Sequence, residues 1–153
     1  MLAEPGSGKE VSVGEFAGAD VVMLVSTVGC PVCRRQIAEL KTIHRQYSDK
    51  GVKFINAVIA EADDFGKRSL PPEDSLARYG NETGIPFPVY LDVPNALADS
   101  YDVKKVPVLA FITREGGLAL TRPFTYWRDV SNILDALIAG KEIDTSGMDT
   151  KPG

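Results

Sequence analysis

The motif Cys30-Pro31-Val32-Cys33 holds both cysteines of the chain and constrains its fold more than any other feature. It follows an apolar, strand-like run at residues 21–25 and precedes a long helical pattern. A thiolate at a helix N-terminus faces unpaired backbone N–H groups and the positive end of the helix dipole, which lower its pKa from about 8.5 toward neutrality. The motif therefore predicts a nucleophilic Cys30 and, one helical turn further on, a Cys33 that closes a disulfide ring with it.

The composition is that of an ordinary globular domain, with 153 residues of which 44% are hydrophobic and 25% are charged. The net charge of −4 argues against nucleic acid as a general partner, because phosphate binding needs a basic face. No apolar stretch approaches the roughly 18 residues of a transmembrane helix, and residues 1–8 lack the features of a signal peptide. We expect a monomer with no transmembrane segment in this chain.

Metal binding is a minor alternative to redox chemistry. Tetrahedral zinc needs four ligands, whereas the chain offers two cysteines and the single His44. His44 lies 11 residues beyond Cys33, roughly 16 Å along a helix, so a catalytic role for it is not expected. The two thiolates alone suit Cu(I), which keeps a Cu(I)-binding or partner-binding module open. No metal site and no cofactor are predicted.

Strand and helix patterns alternate along the chain, which predicts an α/β fold. We expect a flexible lead-in at residues 1–10, one domain at 11–143 and a disordered tail at 144–153. A second helix is expected to break at Gly80 and Gly84, after a polar loop at 61–72. Strands are predicted at 11–13, 21–26, 52–60, 88–92, 108–113 and 118–121, and helices at 31–49, 71–79, 95–101 and 126–139.

A second feature makes the cysteine motif more specific. Val106-Pro107 immediately precedes the predicted strand at 108–112, a position where proline is tolerated because it need not donate to the ladder. The stretch 21–122 resembles the TlpA/ResA-like branch of the thioredoxin superfamily. The resemblance is carried by the cysteine motif and by residues 84–92, 98–107 and 114–117. This branch is related to the alkyl hydroperoxide reductase and thiol-specific antioxidant group of redoxins.

The resemblance implies a thioredoxin-like fold, in which a central mixed sheet is flanked by helices, and it assigns the branch's extra strand and helix to residues 75–101. It implies a thiol:disulfide oxidoreductase in which Cys30 attacks a disulfide and Cys33 resolves the mixed disulfide. The implied partners are protein thiols or disulfides and an upstream redox partner. The location would be periplasmic or extracytoplasmic if a leader was removed, and cytoplasmic otherwise.

The resemblance also implies a substrate-binding region opposite the cysteines. In this superfamily a cis-proline lies there, so Pro107 is expected to be cis and the Val106 backbone to pair with an extended substrate segment. Gly29 stands where relatives commonly carry Trp, which leaves the site more open. Pro31 supports the helix start, because its missing N–H costs nothing at the first turn.

The polar residues beside the motif depart from those of relatives. Gln36 stands where many relatives have a glutamate, and glutamine does not titrate. Leu24 stands where thioredoxins have a buried aspartate, so the proton acceptor for Cys33 is left unassigned. A basic rim beside the motif is predicted from Arg34, Arg35, Lys104 and Lys105, and it would favour the thiolate and attract acidic partners. The alternative is that these four side chains are ordinary solvated surface charges.

A thiol peroxidase is the main alternative function. Peroxiredoxins have a Thr three residues before the peroxidatic cysteine, and Thr27 has that offset from Cys30. The proline that they place four residues before this Thr is replaced by Met23. The CxxC spacing also suits disulfide exchange better than peroxide reduction, so exchange is the favoured prediction.

Overall fold

The computed structural model describes residues 2–5, 7–62, 65, 67–92 and 96–152, and its helices and strands alternate largely as predicted. The strands are β1 (Leu2–Ala3), β2 (Glu10–Val11), β3 (Val21–Ser26), β4 (Lys53–Val58), β5 (Glu61–Ala62), β6 (Arg68–Ser69), β7 (Val89–Asp92), β8 (Val108–Ile112) and β9 (Leu118–Arg122). The helices are α1 (Pro31–Ser48), α2 (Glu73–Thr83), α3 (Ala96–Ser100) and α4 (Trp127–Ala139).

Seven strands form one mixed sheet in the order β2-β1-β7-β4-β3-β8-β9. Strands β3, β4 and β7 are parallel, whereas β8 is antiparallel to β3 and β9 is antiparallel to β8. Because parallel strands end at the same edge of a sheet, the segments that follow β3 and β4 leave the sheet together. The segment after β3 carries the cysteine motif, and we call this edge the active-site edge.

The two faces of the sheet carry separate apolar cores. Strand β3 is buried along its whole length and alternates between them, as its side chains must. Val22 and Leu24 join the core beneath α1, α2 and α4, while Met23 and Val25 join the core on the face of α3. Helices therefore flank the sheet on both sides, and the central strand that leads into the motif is held on both faces.

The segment expected to be a flexible lead-in contributes two strands to the sheet. β1 pairs with β7 through the register Leu2 with Asp92, and the Leu2 side chain is fully buried. Burial of this one leucine holds β1 in place, and a two-residue strand is too short to give a periodic signal. β2 covers β1 at the edge, so the predicted edge strand at 11–13 is shifted to Glu10–Val11.

Two predictions of local structure were wrong in detail. Helix α2 continues through Gly80 and ends only at Gly84, whose φ of 63° is left-handed. Buried Leu76 and Tyr79 anchor this helix and offset the roughly 1 kcal/mol that a helical glycine costs. The expected polar loop at 61–72 contains the β5–β6 hairpin, with residues 63, 64 and 66 outside the described ranges. Asn95, the predicted first residue of the third helix, also lies outside them.

Residues 144–152, expected to be a disordered tail, contain no helix or strand but return to the body of the fold. Met148 packs against the core beneath α1 and α4, and the Tyr126 hydroxyl donates a hydrogen bond of 2.7 Å to the Lys151 carbonyl. The division of the chain at residues 11 and 143 stays a prediction. None of the helices in the described part of the chain is both long and apolar enough to cross a membrane.

Candidate active site

The cysteine motif lies where β3 leads into α1. Cys30 is the N-cap residue, with extended backbone (φ −99°, ψ 107°), and its Sγ accepts a hydrogen bond of 3.1 Å from the Cys33 N–H. Pro31 occupies the first turn, as predicted. The two cysteines are joined by a disulfide with a Cα–Cα distance of 5.2 Å. Cys33 is fully buried and Cys30 is partly exposed, so only the Cys30 sulfur faces an incoming partner.

Val106 and Pro107 lie at the same edge of the sheet as the motif. The Val106–Pro107 peptide bond is cis, and Val108 pairs with Val25 near the end of β3. Pro107 itself is buried. With Val32 of the motif, Val106 and Pro107 line a groove of about 510 Å³, which we call the Pro107 groove. The structure thus brings the predicted substrate-binding pair together with the motif.

The side chain of Glu61, which the sequence did not indicate as a site residue, lies against Gly29. Its N–H donates a hydrogen bond of 3.0 Å to Oε1 of Glu61, and a Cβ at position 29 would lie only 3.0 Å from the same oxygen. A carboxylate therefore lies beside Gly29, one residue before Cys30. Glu61 follows β4, the parallel neighbour of β3, and the shared edge of parallel strands is the one signal that could have indicated it.

Gln36 is fully buried and has a structural partner. Its Nε2 donates to the Thr125 carbonyl at 2.9 Å, and its Oε1 accepts from the Thr125 N–H at 2.8 Å. These two bonds fasten the first turns of α1 to the segment that leads into α4. An ionised glutamate here would lose the donor that the Thr125 carbonyl requires, so the amide fits this pair of bonds better than an acid would.

Arg34 turns away from the Pro107 groove, toward α2. Its Nη1 lies 2.7 Å from a Glu82 carboxylate oxygen, and its Nη2 donates to the Val28 carbonyl at 3.3 Å. Its guanidinium carbon is 5.5 Å from the centre of the Tyr79 ring. Arg34 is therefore already paired with Glu82, and the positive charges that line the Pro107 groove come from Lys104, Lys105 and Arg122.

A buried, uncharged network lies beneath the motif on the side of α2. Asn56 donates to Ser26 Oγ and to the Leu24 carbonyl, both at 2.9 Å, and accepts from the Tyr79 hydroxyl at 2.8 Å. Ser26 and Tyr79 are also within 3.0 Å of each other. Burial raises the pKa of Tyr79, which keeps its hydroxyl neutral. This network of neutral groups thus reaches the Leu24 main chain, one strand residue before the position of Val25.

His44 of α1 packs against two phenylalanine rings and does not belong to the site. Its ring lies 5.0 Å from the Phe54 ring centre and 5.4 Å from that of Phe87. Burial lowers its pKa, so the imidazole is neutral at pH 7. Within the described ranges, no group of three or more His, Cys, Asp or Glu side chains is arranged to hold a metal ion.

Comparison with known proteins agrees with this geometry. The chain is 25% identical to the thiol-disulfide oxidoreductase ResA of Halalkalibacterium halodurans over 116 residues, which are 76% of this chain and 60% of the relative. ResA of Bacillus subtilis is 23% identical over 116 residues, covering 76% of this chain and 59% of that protein. The chain thus spans only about 60% of the length of the curated relatives it matches.

The fold has close counterparts among solved structures. The thioredoxin domain of a thiol-disulfide oxidoreductase from Bacteroides vulgatus superposes with a TM-score of 0.73 at 19% identity, covering 90% of this chain and 92% of that chain. The predicted thioredoxin-like fold, with its mixed sheet and flanking helices, is confirmed. Residues 2–123 match the family described as Redoxin. The chain therefore belongs to the redoxin family.

Proposed function

We propose that the chain is a thiol:disulfide oxidoreductase that exchanges the Cys30–Cys33 pair with protein partners. One observation carries the proposal: a partly exposed Cys30 and a fully buried Cys33 are joined at the start of α1, beside a groove that contains Pro107. Similarity to the ResA proteins supports the same reaction. A peroxidatic cysteine needs no second sulfur within one helical turn, whereas disulfide exchange uses that arrangement directly.

In the reducing direction, the Cys30 thiolate attacks one sulfur of a partner disulfide. The partner's S–S bond breaks, a mixed disulfide forms at Cys30, and the first partner sulfur leaves as a thiolate. Cys33 then loses its proton and attacks the Cys30 sulfur, which releases the second partner sulfur and forms the intramolecular disulfide. Two electrons pass from the pair to the partner. An upstream dithiol restores the pair by the reverse steps, again through Cys30.

The neighbouring residues have separate parts in this proposal. The Cys33 N–H that lies 3.1 Å from the Cys30 sulfur would stabilise a thiolate there, because a charged acceptor strengthens the bond. Val106, Pro107 and Gly29 form the surface on which the partner segment lies. Pro31, Arg34 and Gln36 support the site by fixing the start of α1 and the loop before it.

Single serine variants test the proposal. Cys30→Ser should abolish insulin reduction, whereas Cys33→Ser should accumulate mixed disulfides that appear as heavier bands on non-reducing gels. Thermal unfolding of each variant, compared with the reduced wild-type protein, checks that the fold is intact. Activity retained by a folded Cys30→Ser variant would contradict the assignment of the nucleophile.

The same proteins separate the two alternative functions. Thr27, the residue that favours a thiol peroxidase, lines a second cavity of about 390 Å³ together with Glu61 and Val106. Peroxide consumption well above that of free cysteine, with insulin reduction absent, would favour the peroxidase. Tight Cu(I) binding with negligible exchange activity would favour a metal-binding module.

A further inference from the structure

The Pro107 groove differs in charge from the chain as a whole. Its base is apolar and includes Val32, Pro107 and Phe124. The charged residues that line it are three cations and one carboxylate, Asp102, whereas the whole chain has a net charge of −4. Positive charge is therefore concentrated at the groove that leads to the motif. The cations are Lys104, Lys105 and Arg122.

Arg122 contributes a hydrogen-bond donor without a partner. It is the last residue of β9 and pairs across the sheet with Leu109, two residues beyond Pro107. Its Nε is buried and has no acceptor among the residues that the structure describes. A buried guanidinium N–H without an acceptor is unfavourable. Arg122 as a whole is only partly buried and lines the groove, and the group that matches a guanidinium best is a carboxylate, whose two oxygens can accept two parallel bonds. The Arg122 guanidinium thus has an unsatisfied hydrogen-bond donor in the free protein.

The two lysines are also available to a ligand. Lys104 makes only a loose contact of 3.8 Å with Asp102, and both side chains are more than 80% exposed. Lys105 is exposed and forms no ion pair within the described part of the chain. Exposed ion pairs of this kind contribute little to stability, so the two lysines can bind a ligand without weakening the fold. They immediately precede Val106, the residue proposed to contact the partner backbone.

We propose that the Pro107 groove selects partner segments in which the reacting cysteine lies among apolar residues and is flanked by a carboxylate. The apolar base contacts the segment next to the cysteine, and Arg122 binds the carboxylate while Lys104 and Lys105 attract it. Because the rest of the molecule repels acidic partners, the attraction acts only at the groove and also orients the partner. This inference rests on the proposed exchange reaction and names its class of partner.

Two synthetic disulfide peptides test the proposal. They share an apolar segment around an intramolecular disulfide and differ only in having Glu or Lys on its flanks. Single-turnover oxidation of the reduced full chain by each peptide is stopped by alkylation and quantified by mass spectrometry. At low ionic strength we expect about a tenfold preference in kcat/KM for the acidic peptide, carried mainly by KM. The preference should decline as salt is added.

Variants assign the preference to the groove. Arg122→Gln should reduce it to about threefold, and Lys104→Gln with Lys105→Gln should have a similar effect, because each removes part of the same local charge. Arg122→Lys should retain most of it. Lys141→Gln removes another exposed lysine, just beyond the end of α4, and should leave the preference unchanged. The exposed double lysine variant keeps the test valid if Arg122→Gln does not fold.

A neutral small disulfide, hydroxyethyl disulfide, separates this inference from the proposed function. Reduction of it by the wild type, with equal rates for the two peptides, would overturn the acidic preference and leave the exchange reaction standing. A preference that survives both groove variants would overturn the role of these cations. Failure of the wild type to reduce any of the three disulfides would contradict the proposed function itself.

Discussion

The two flanks of the cysteine motif are built differently. On the side of α2, Ser26, Asn56 and Tyr79 satisfy one another, and Arg34 is paired with Glu82. On the side of the Pro107 groove, the buried Nε of Arg122 has no acceptor in the described ranges, and two lysines are exposed. The first flank holds the active-site edge in one conformation. The second flank leaves one buried donor without an acceptor and two lysine charges exposed to solvent, where a partner can reach the lysines.

The largest effect should come from Asn56→Ala, which breaks the flank that holds the site. The change removes both donors of the buried amide and leaves the Leu24 carbonyl and the Tyr79 hydroxyl without it. We expect the free energy of unfolding to fall by about 3 kcal/mol in urea titrations. Asn81→Ala, at an exposed position of α2, is the control. A loss below about 1 kcal/mol would mean that the network does not hold this edge.

Tyr79→Phe should weaken the same flank by about 1–2 kcal/mol at neutral pH, because it removes the hydroxyl bonded to Asn56. The pKa of Tyr79 is raised from 10.0 mainly by burial, so the native state holds this proton more tightly than the unfolded state. Its contribution is therefore complete below pH 10 and is lost as pH rises further.

Urea midpoints between pH 8 and 11 measure this alkaline loss, in a background where Cys30→Ser and Cys33→Ser prevent disulfide exchange. Above pH 10 the urea midpoint of the protein with Tyr79 should fall more steeply with pH than that of the Tyr79→Phe variant. Parallel declines would show that Tyr79 does not contribute to the alkaline unfolding.

Glu61→Gln tests the effect of the Glu61 carboxylate beside Gly29, between the two flanks of the motif. Its carboxylate accepts from the Gly29 N–H, one residue before Cys30, and should repel an anionic reagent that approaches the sulfur. We expect the ratio of iodoacetate to iodoacetamide alkylation rates at Cys30 to rise about two- to threefold in the reduced protein. Glu142→Gln, beyond the end of α4, should leave that ratio unchanged. A rise in both variants would assign the effect to net charge.

The smallest effect should come from Glu82→Gln, at the surface of the holding flank. Arg34 and Glu82 are 35% and 48% exposed, so solvent screens their attraction. We expect a loss of no more than about 0.5 kcal/mol in thermal or urea unfolding. A loss as large as that of Asn56→Ala would mean that the surface pair, and not the buried network, holds α2 to the motif.

Sequence patterns predicted the features that depend on local order. The apolar run before Cys30 and the helical spacing after it identified β3 and α1, because a long, buried element leaves a clear periodic signal. Pro107 was singled out because it precedes a predicted strand in a chain that also carries the CxxC motif, since proline at a strand start alone has an ordinary structural explanation. The catalytic role of the cysteines stays a prediction, whereas the fold around them is confirmed.

The features that the sequence did not reveal depend on contacts between distant segments. Asn56 and Tyr79 are 23 positions apart, and each in isolation resembles an ordinary polar residue of a strand or helix. Glu61 meets Gly29 only because two parallel strands end together. The tail carried no periodicity at all, yet its Thr150 and Pro152 line the Pro107 groove. Such positions become visible only when the topology is known.

Cys33 is completely buried next to a partly exposed Cys30, so we expect a thiol reagent to modify only one cysteine of the reduced chain. A bulky thiol-directed fluorophore or crosslinker meets one sulfur and not two, so conjugates form with one label at a known position. The folded molecule can then be coupled to a surface or a second protein through the residue that a natural partner would engage. Any such adduct leaves its neighbouring sulfur inside the fold, where only movement of the first turn of α1 would expose it.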